Sequence, residues 1–303
     1  MGIESRIPFG LDIESGQLVD VGSVKRGNAC GCICPSCNTP LVARHGGDKE
    51  WHFAHRSQKV HNETRKECEY SFAVSVRLMI RQLSNNGLKF RTPRLERSLP
   101  AFSEYTHESS DFGYLVAEES LVTLKEVKVG ADFCGVIVDV LGLVEGVPFA
   151  VFVTYKERGL PPELKNPSIT RCGVVEFNVN VVPRLFKQED KGQYKEVLRR
   201  YIENDTEGKT WAYHPREHGM REAALANCQS WLLRQKTEAK IYANSKRHSQ
   251  NLVEPNESCS IESRKSIERS IGNYVCVMCE AKWTGTSRTC KKCNTHLFTT
   301  EDK

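Results

Sequence analysis

The chain of 303 residues contains no run of about 18 apolar residues, and the sequence therefore predicts no membrane span. Its first ten residues lack the apolar core of a signal peptide, so we expect no export and a cytoplasmic location. The sequence also shows no internal repeat. The formal net charge of +5 is mild, and it permits contact with nucleic acid without arguing for it.

Cysteine is the residue type that is unusually abundant, with 13 in the chain. In a protein that is not exported, thiols and metal ligands are expected rather than a disulfide framework. Some cysteines stand alone, and we predict that they are ordinary core or surface residues. These are Cys68, Cys134, Cys172, Cys228 and Cys259.

Four potential metal ligands lie close together near the N-terminus. Cys34-x-x-Cys37 is followed by His52-x-x-His55, so two close pairs stand on separate stretches of chain. This pattern is typical of a tetrahedral zinc site, because each pair directs two ligand atoms at one point. Cys30 and Cys32 lie just upstream, and either of them is an alternative to one of the four.

A second set of ligands lies near the C-terminus, as Cys276-x-x-Cys279 and Cys290-x-x-Cys293. Two disulfides are the alternative interpretation, but they suit an oxidising compartment. A zinc ribbon of about 30 residues cannot bury enough apolar surface to fold alone. We therefore expect a metal ion to hold it together.

The sequence between the two clusters predicts a mixed sheet flanked by helices, of the α+β or α/β class. Apolar residues at helical spacing predict a helix from Glu69 to Leu83, with Arg77 and Arg81 off its apolar face. β-Branched runs predict strands over 133–144, 149–153 and 174–179, the last after a crossover. The predicted domains are an N-terminal zinc module over 1–62, a core over 63–236, a polar linker over 237–272 and a zinc ribbon over 273–303.

The N-terminal cysteines and histidines, together with Pro40-Leu41-Val42-Ala43, resemble the zinc module of competence protein CoiA-like proteins. The resemblance covers about residues 20 to 215. It implies a restriction-endonuclease-like core of the PD-(D/E)XK nuclease class and a role in handling incoming or foreign DNA, as in competence or phage defence. It places the first catalytic aspartate at Asp132 and a helix-opening glutamate at Glu69.

The chain departs from this family where the nuclease chemistry is expected. The family's glutamate falls on Ala150, its lysine on Phe152, and the histidine that ends its strand on Tyr155. A nuclease of this class holds Mg²⁺ through paired carboxylate oxygens. The resemblance therefore implies a core that has lost its active site. The alternative is an active Mg²⁺-dependent endonuclease with a migrated second carboxylate, supplied by Glu69, Asp139 or Glu176.

Two classes of function follow from these observations. The first is a DNA-associated protein that contacts phosphates through exposed basic residues. The second is an adaptor whose two zinc modules bind other proteins. We expect two zinc ions, Mg²⁺ only if the core is active, and neither a small-molecule cofactor nor a membrane partner. The candidate basic residues are Lys187, Lys191, Arg199, Arg200, Lys291 and Lys292.

Overall fold

A computed structural model describes residues 6–56, 68, 71–250, 272–276, 279–293 and 299–301. The chain divides into two compact units, which are Met1–Glu96 with Leu115–Met220 and Arg97–Tyr114 with Arg221–Lys303. The finer boundaries at residues 62, 236 and 272 stay a prediction.

The described residues form many strands and few α-helices. The strands are β1 (Phe9–Asp12), β2 (Leu18–Asp20), β3 (Cys32–Ile33), β4 (Leu41–Arg44), β5 (His52–His55), β6 (Leu88–Thr92), β7 (Leu95–Phe102), β8 (Ser109–Ala117), β9 (Ser120–Phe133), β10 (Val136–Val144), β11 (Val147–Thr154), β12 (Gly173–Asn178), β13 (Lys209–Tyr213), β14 (Gly272–Cys276), β15 (Lys282–Gly285) and β16 (Thr299–Glu301). The α-helices are α1 (Ser71–Ser84), α2 (Pro162–Lys165), α3 (Tyr194–Asn204) and α4 (Glu217–Gln250).

A six-stranded mixed sheet forms the centre of the first unit, in the order β13-β12-β11-β10-β9-β6. All its neighbouring strands are antiparallel except β11 and β12, which run parallel. Parallel neighbours require a crossover connection, and the segment containing α2 supplies it. The predicted mixed sheet of an α+β protein is therefore confirmed.

One hydrophobic core joins the N-terminal strands, α1 and the central sheet. Phe9 and Phe53 of the N-terminal strands belong to the same buried cluster as Met79 of α1 and Val151 and Phe177 of the sheet. The apolar side of α1 is the one predicted from its periodicity. The N-terminal strands are thus packed as part of the first unit.

A hairpin turn separates Asp132 of β9 from Asp139 of β10. Cys134 and Gly135 have φ values of 53° and 80°, the positive values that a type I′ two-residue turn needs. Asp132 is therefore the penultimate residue of β9, whereas Asp139 lies on β10. The single strand predicted over 133–144 is wrong at its start, because the chain reverses immediately after Phe133.

Helix α3 is fixed at both ends by buried charged side chains. The Asp20 carboxylate accepts a 2.8 Å hydrogen bond from Lys195 N in the first turn. Lys209 Nζ donates to the carbonyl oxygens of Ile202 and Asp205 at the other end, at 2.6 Å each. A carboxylate at the N-terminus and an ammonium at the C-terminus both complement the helix dipole.

The second unit contains a hairpin segment, most of α4 and a small C-terminal sheet. The Phe112 ring packs edge-on against Trp231 of α4, with ring centroids 5.8 Å apart. α4 continues to Gln250, so it includes the start of the predicted polar linker. The C-terminal sheet has the strand order β15-β14-β16. Among the helices that the structure describes, none has both the length and the apolar character needed to span a bilayer.

Candidate metal centres and an arginine cluster

Four potential ligands of the first unit surround one point. The ligand atoms of Cys34, Cys37, His55 and Cys68 all lie within 4.8 Å of one another. His55 Nε2 lies 3.4 Å from Cys37 Sγ and 3.7 Å from Cys68 Sγ. A tetrahedral ion with metal–sulfur bonds of about 2.3 Å separates its ligand atoms by roughly 3.5 to 3.8 Å. These four residues, which we call the first metal group, could therefore hold a metal ion.

His52 is the predicted ligand that the structure leaves out of this group, and Cys68 takes its place. Both histidines lie on β5, and side chains three residues apart on a strand point to opposite faces. His52 Nδ1 lies instead 2.9 Å from the carbonyl oxygen of Glu50. The prediction for His52 is wrong because it pairs two histidines by their spacing without regard to the period of a strand.

Cys30 and Cys32 are buried beside the first metal group without joining it. The Cys30 thiol donates to the carbonyl oxygen of Leu41 and the Cys32 thiol to that of Cys30, at 3.2 Å in each case. Burial raises the pKa of the Cys32 thiol to about 12. Both thiols are therefore bonded to backbone carbonyl groups, and neither belongs to the first metal group.

The segments that begin at Cys34 and at Cys276 form the same turn hydrogen bonds although their sequences differ. Asn38 N donates to the carbonyl oxygen of Cys34 at 2.9 Å, and Glu280 N donates to that of Cys276 at 2.7 Å. Asn38 and Glu280 both have a φ of 57°, in the left-handed region. The first cysteine of each segment also donates its N–H to the carbonyl oxygen five residues later, at 2.9 Å and 3.0 Å. Each turn thus presents its two thiols on the same side.

The structure brings together all four predicted cysteines of the second unit. Cys276 Sγ lies 3.9 Å from Cys293 Sγ, and Cys279 Sγ lies 3.5 Å from Cys290 Sγ. The four ligand atoms lie within 4.8 Å of one another. These distances exceed an S–S bond of about 2.05 Å, so the thiols are not joined as disulfides. This second metal group could also hold a metal ion.

We expect Cys276→Ser to unfold the C-terminal sheet alone, because a unit so small depends on its metal. Limited proteolysis followed by mass spectrometry should locate new cleavage sites after about residue 250. The matched control is Cys134→Ser, which removes a thiol that belongs to neither metal group. New cleavage within the first unit of Cys276→Ser would show that the sheet supports the whole chain.

The predicted catalytic residue Asp132 belongs to no group of potential metal ligands among the described residues. Asp132 is exposed at the end of β9, where it pairs across the hairpin with Ile137. In the part of the chain that the structure describes, groups of three or more potential ligands are the two cysteine groups, and Asp132 belongs to neither. Glu69 lies outside the described residues. The Glu176 carboxylate accepts a 2.7 Å hydrogen bond from the Thr154 hydroxyl.

The positions that the resemblance assigns to a glutamate and a lysine lie in an apolar cluster. Ala150 and Phe152 of β11 are buried with Phe133, Val138 and Val174. Aliphatic and aromatic side chains in that setting provide neither the oxygen nor the ammonium that a Mg²⁺-dependent nuclease uses.

The buried carboxylate of the central sheet is that of Asp139, and three arginines surround it. Arg77 Nε and Arg81 Nε donate to Asp139 Oδ1 at 2.6 Å and 2.8 Å. Arg158 Nη1 donates to Oδ2 at 2.8 Å, and so does the backbone N–H of Val153. Burial alone would raise the pKa of Asp139, but the charges of Arg158 and Arg77 hold it below its ordinary value. We call Arg77, Arg81, Arg158 and Asp139 the arginine cluster.

The arginine cluster contains more donors than its carboxylate can accept. Arg81 Nη2 lies 2.7 Å from Asp139 Oδ1 but outside hydrogen-bond geometry, and among the described residues it has no other acceptor. Arg158 is held in place by its ring neighbour, since its Cζ lies 3.7 Å from the centroid of Phe152. The apolar residue at the family's lysine position thus supports a guanidinium.

A cavity of about 480 Å³ lies elsewhere in the first unit, lined by Phe149, Trp211 and His214 among others. The His214 ring packs edge-on against Trp211 at 4.5 Å between centroids. Its Nδ1 accepts a 3.2 Å hydrogen bond from Arg216 N. Burial, with a smaller contribution from the Arg216 charge, lowers the pKa of His214 to about 4. His214 is therefore neutral at physiological pH.

This shift makes stability depend on pH. Between pH 6.5 and 4 the unfolded chain protonates His214 while the folded chain does not, so acid favours unfolding. We expect wild type to lose up to about 3 kcal/mol more unfolding free energy than His214→Gln over this range. Denaturation with urea at pH 7 and pH 4.5 measures the difference. Equal losses in the two proteins would mean that the folded pKa is not depressed.

The N-terminal part of the chain is similar to a known protein family. A family model described as a domain of unknown function, DUF7828, matches residues 10–82. No curated protein matches the chain, and no solved structure matches it. The matched segment contains all four members of the first metal group and two arginines of the arginine cluster, Arg77 and Arg81.

Proposed function

We propose that this protein binds nucleic acid through a nuclease-like core that no longer cleaves, supported by two zinc modules. The central observation is that Asp139, the buried carboxylate of the sheet, has its two oxygens engaged by three guanidinium groups. Asp139 is one of the candidates for a migrated second carboxylate, and guanidinium nitrogens occupy the positions around it that a cation would need. The resemblance to CoiA-like proteins suggests incoming or foreign DNA as the nucleic acid.

The order of elements supports a restriction-endonuclease-like core. Three strands, β6 to β8, separate helix α1 from β9 in the chain. β9, β10 and β11 are then antiparallel neighbours, and a crossover leads to β12 parallel to β11. The crossover before β12 is the one that the sequence predicts before the strand over 174–179. Fold alone does not determine activity, so the side chains on this frame decide between cleavage and binding.

The same side chains argue against Mg²⁺-dependent cleavage. Phosphodiester hydrolysis of this type needs a cation held by carboxylate oxygens close to the scissile phosphate. Asp132 is exposed and Asp139 is enclosed by positive charge. A divalent cation at Asp139 would have to displace arginines that already neutralise the carboxylate, at a large electrostatic cost.

Zinc is the metal that suits the two groups. Three thiols with one imidazole, and four thiols, are the usual ligands of structural zinc, and four protein ligands leave no open position for substrate. Zinc bound to three or four thiolates carries a net negative charge. Affinity for nucleic acid therefore rests on local basic residues rather than on the metal centres.

Exposed basic residues supply such local charge. All six predicted phosphate-binding candidates are exposed. Lys187 and Arg199 each have an acidic neighbour, Glu189 at 3.8 Å and Glu196 at 3.5 Å. Surface pairs of this kind are weak and exchange readily for phosphate contacts.

Binding and cleavage are tested with the zinc-loaded full-length protein. Gel shifts on single- and double-stranded DNA at 50 to 200 mM salt should show affinity that falls steeply with salt. Plasmid incubated with Mg²⁺ should remain intact. If no DNA binds at any salt concentration, the alternative of a protein-binding adaptor is favoured instead. Nicking that Asp132→Ala abolishes would overturn the proposal in favour of an active endonuclease.

A further inference from the structure

We infer that the arginine cluster binds a dianionic phosphate monoester, and that this group is the terminal phosphate of a nucleic acid strand. The phosphate site follows from the charges and donors of the cluster. Its assignment to a strand end rests on the proposed function and deepens it, because it states which part of the nucleic acid enters the core.

The cluster carries an excess of positive charge. Counted over its four groups, three guanidinium cations face one carboxylate. The carboxylate of Asp139 is fully buried, and the three arginine side chains keep only 21%, 19% and 18% of their surface exposed. Two uncompensated charges on side chains with so little exposed surface are costly unless an anion binds beside them. A ligand with two negative charges would balance the cluster.

The donors of the cluster also require further acceptors. Each guanidinium has five N–H groups, and Asp139 uses the Nε–H of Arg77 and of Arg81. Arg77 and Arg81 are four residues apart on α1, so their side chains lie side by side on one helix face. The carboxylate thereby holds two neighbouring guanidiniums in place, and Arg81 Nη2 has no hydrogen-bond partner among the described residues. Phosphate oxygens accept such paired donors.

The degree of enclosure favours a terminal group over an internal phosphodiester. A phosphodiester carries one negative charge and continues as a polymer on both sides, whereas a terminal monoester carries nearly two above pH 6 and continues on one side only. Side chains that are about four-fifths buried leave a small opening to solvent. The charge and the opening both match a strand end.

The experiment compares strand ends on the zinc-loaded full-length protein. Fluorescence anisotropy with one oligonucleotide sequence, ending in either a 5′-phosphate or a 5′-hydroxyl, should give about tenfold tighter binding of the phosphorylated strand. A 3′-phosphorylated strand shows which end is preferred. The preference should shrink below pH 6, where the phosphate takes up a proton.

Arg77→Gln is the test variant, because Arg81 and Arg158 still pair with Asp139 and preserve the fold. We expect it to lose most of the preference for the phosphorylated end. Arg184→Gln is the matched control, since it removes the same charge from an exposed arginine that pairs with Glu207. Arg77→Lys keeps the charge but not the paired donors, and it should restore only part of the preference. Thermal unfolding of each variant verifies that it is folded.

The outcomes separate this inference from the proposed function. Equal, salt-dependent binding of all strand ends would overturn the inference and leave nucleic acid binding intact. If no strand binds but inorganic phosphate stabilises wild type and not Arg77→Gln, the phosphate site stands and nucleic acid as its source is overturned. Failure of inorganic phosphate and of every strand would overturn both.

Discussion

Cys68→Ser is expected to remove one metal ion per chain and to destabilise the whole first unit, whereas His52→Ala should retain both ions. Cys68 Sγ lies 3.7 Å from His55 Nε2 within the first metal group, while His52 lies outside it. Structural zinc contributes on the order of 10 to 16 kcal/mol in small zinc units. Loss of one of four ligands should therefore cost several kcal/mol.

The effect should be global because the first metal group is part of the main core. Cys34 belongs to the same buried cluster as Phe72 and Met79 of α1, and as Val151 of the central sheet. Metal analysis should give about two ions per chain for His52→Ala and about one for Cys68→Ser. Urea denaturation should place the Cys68→Ser midpoint far below that of wild type. The assignment fails if His52→Ala loses the ion and Cys68→Ser keeps it.

The second metal group could be predicted completely from the sequence, and the first only in part. Both pairs of the second group are Cys-x-x-Cys, so each pair lies within one tight turn. The first group combines one such turn with a strand histidine and the distant Cys68. Because side chains alternate between the two faces of β5, only one of His52 and His55 can belong to the site. Nothing in the local sequence then selects Cys68, rather than another cysteine, as the fourth ligand.

The sheet could be predicted where its turns use common residues. Glu145-Gly146 lies between the strands predicted over 133–144 and 149–153, and Val144 and Val147 pair across it. Cys134-Gly135 is a less common pair at such a turn, where Asn-Gly and Asp-Gly prevail, so the strand predicted over 133–144 runs through the turn. Because of that error, the prediction did not show that Asp139 lies on β10, between β9 and β11 in the sheet.

The arginine cluster could not be predicted from periodicity. Arg77 and Arg81 lie off the apolar face of α1, and such residues are usually solvated. They meet a carboxylate 62 and 58 residues further along the chain, a pairing that depends on how the helix packs on the sheet. The buried Asp139 lies in a run of valines and leucines, and a carboxylate in such a run requires a partner of opposite charge. That requirement is the one feature of the sequence that indicates a buried cluster of opposite charges.

Asp139→Asn is expected to destabilise the first unit by about 3 to 5 kcal/mol, because removing one partner of a buried ion cluster leaves its charges uncompensated. Asp132→Asn is the matched control. It changes an exposed aspartate of the same hairpin, and it should shift stability by no more than about 0.5 kcal/mol. Because the folded pKa of Asp139 is depressed, its contribution is complete above the ordinary pKa near 4 and is lost only as pH falls below it. Denaturation at pH 7 and at pH 5.5 should therefore give the same difference.

A double-mutant cycle would show that charge, rather than packing, causes this cost. With Asp139 neutralised, three cations repel one another, and removing one of them should relieve part of the strain. Asp139→Asn combined with Arg77→Gln should therefore be less destabilised than the sum of the single variants, by about 1 to 3 kcal/mol. Inorganic phosphate should stabilise Asp139→Asn more than wild type, since the anion replaces the missing negative charge. Additive single effects, together with no response to phosphate, would mean that the three arginines do not act as one electrostatic unit.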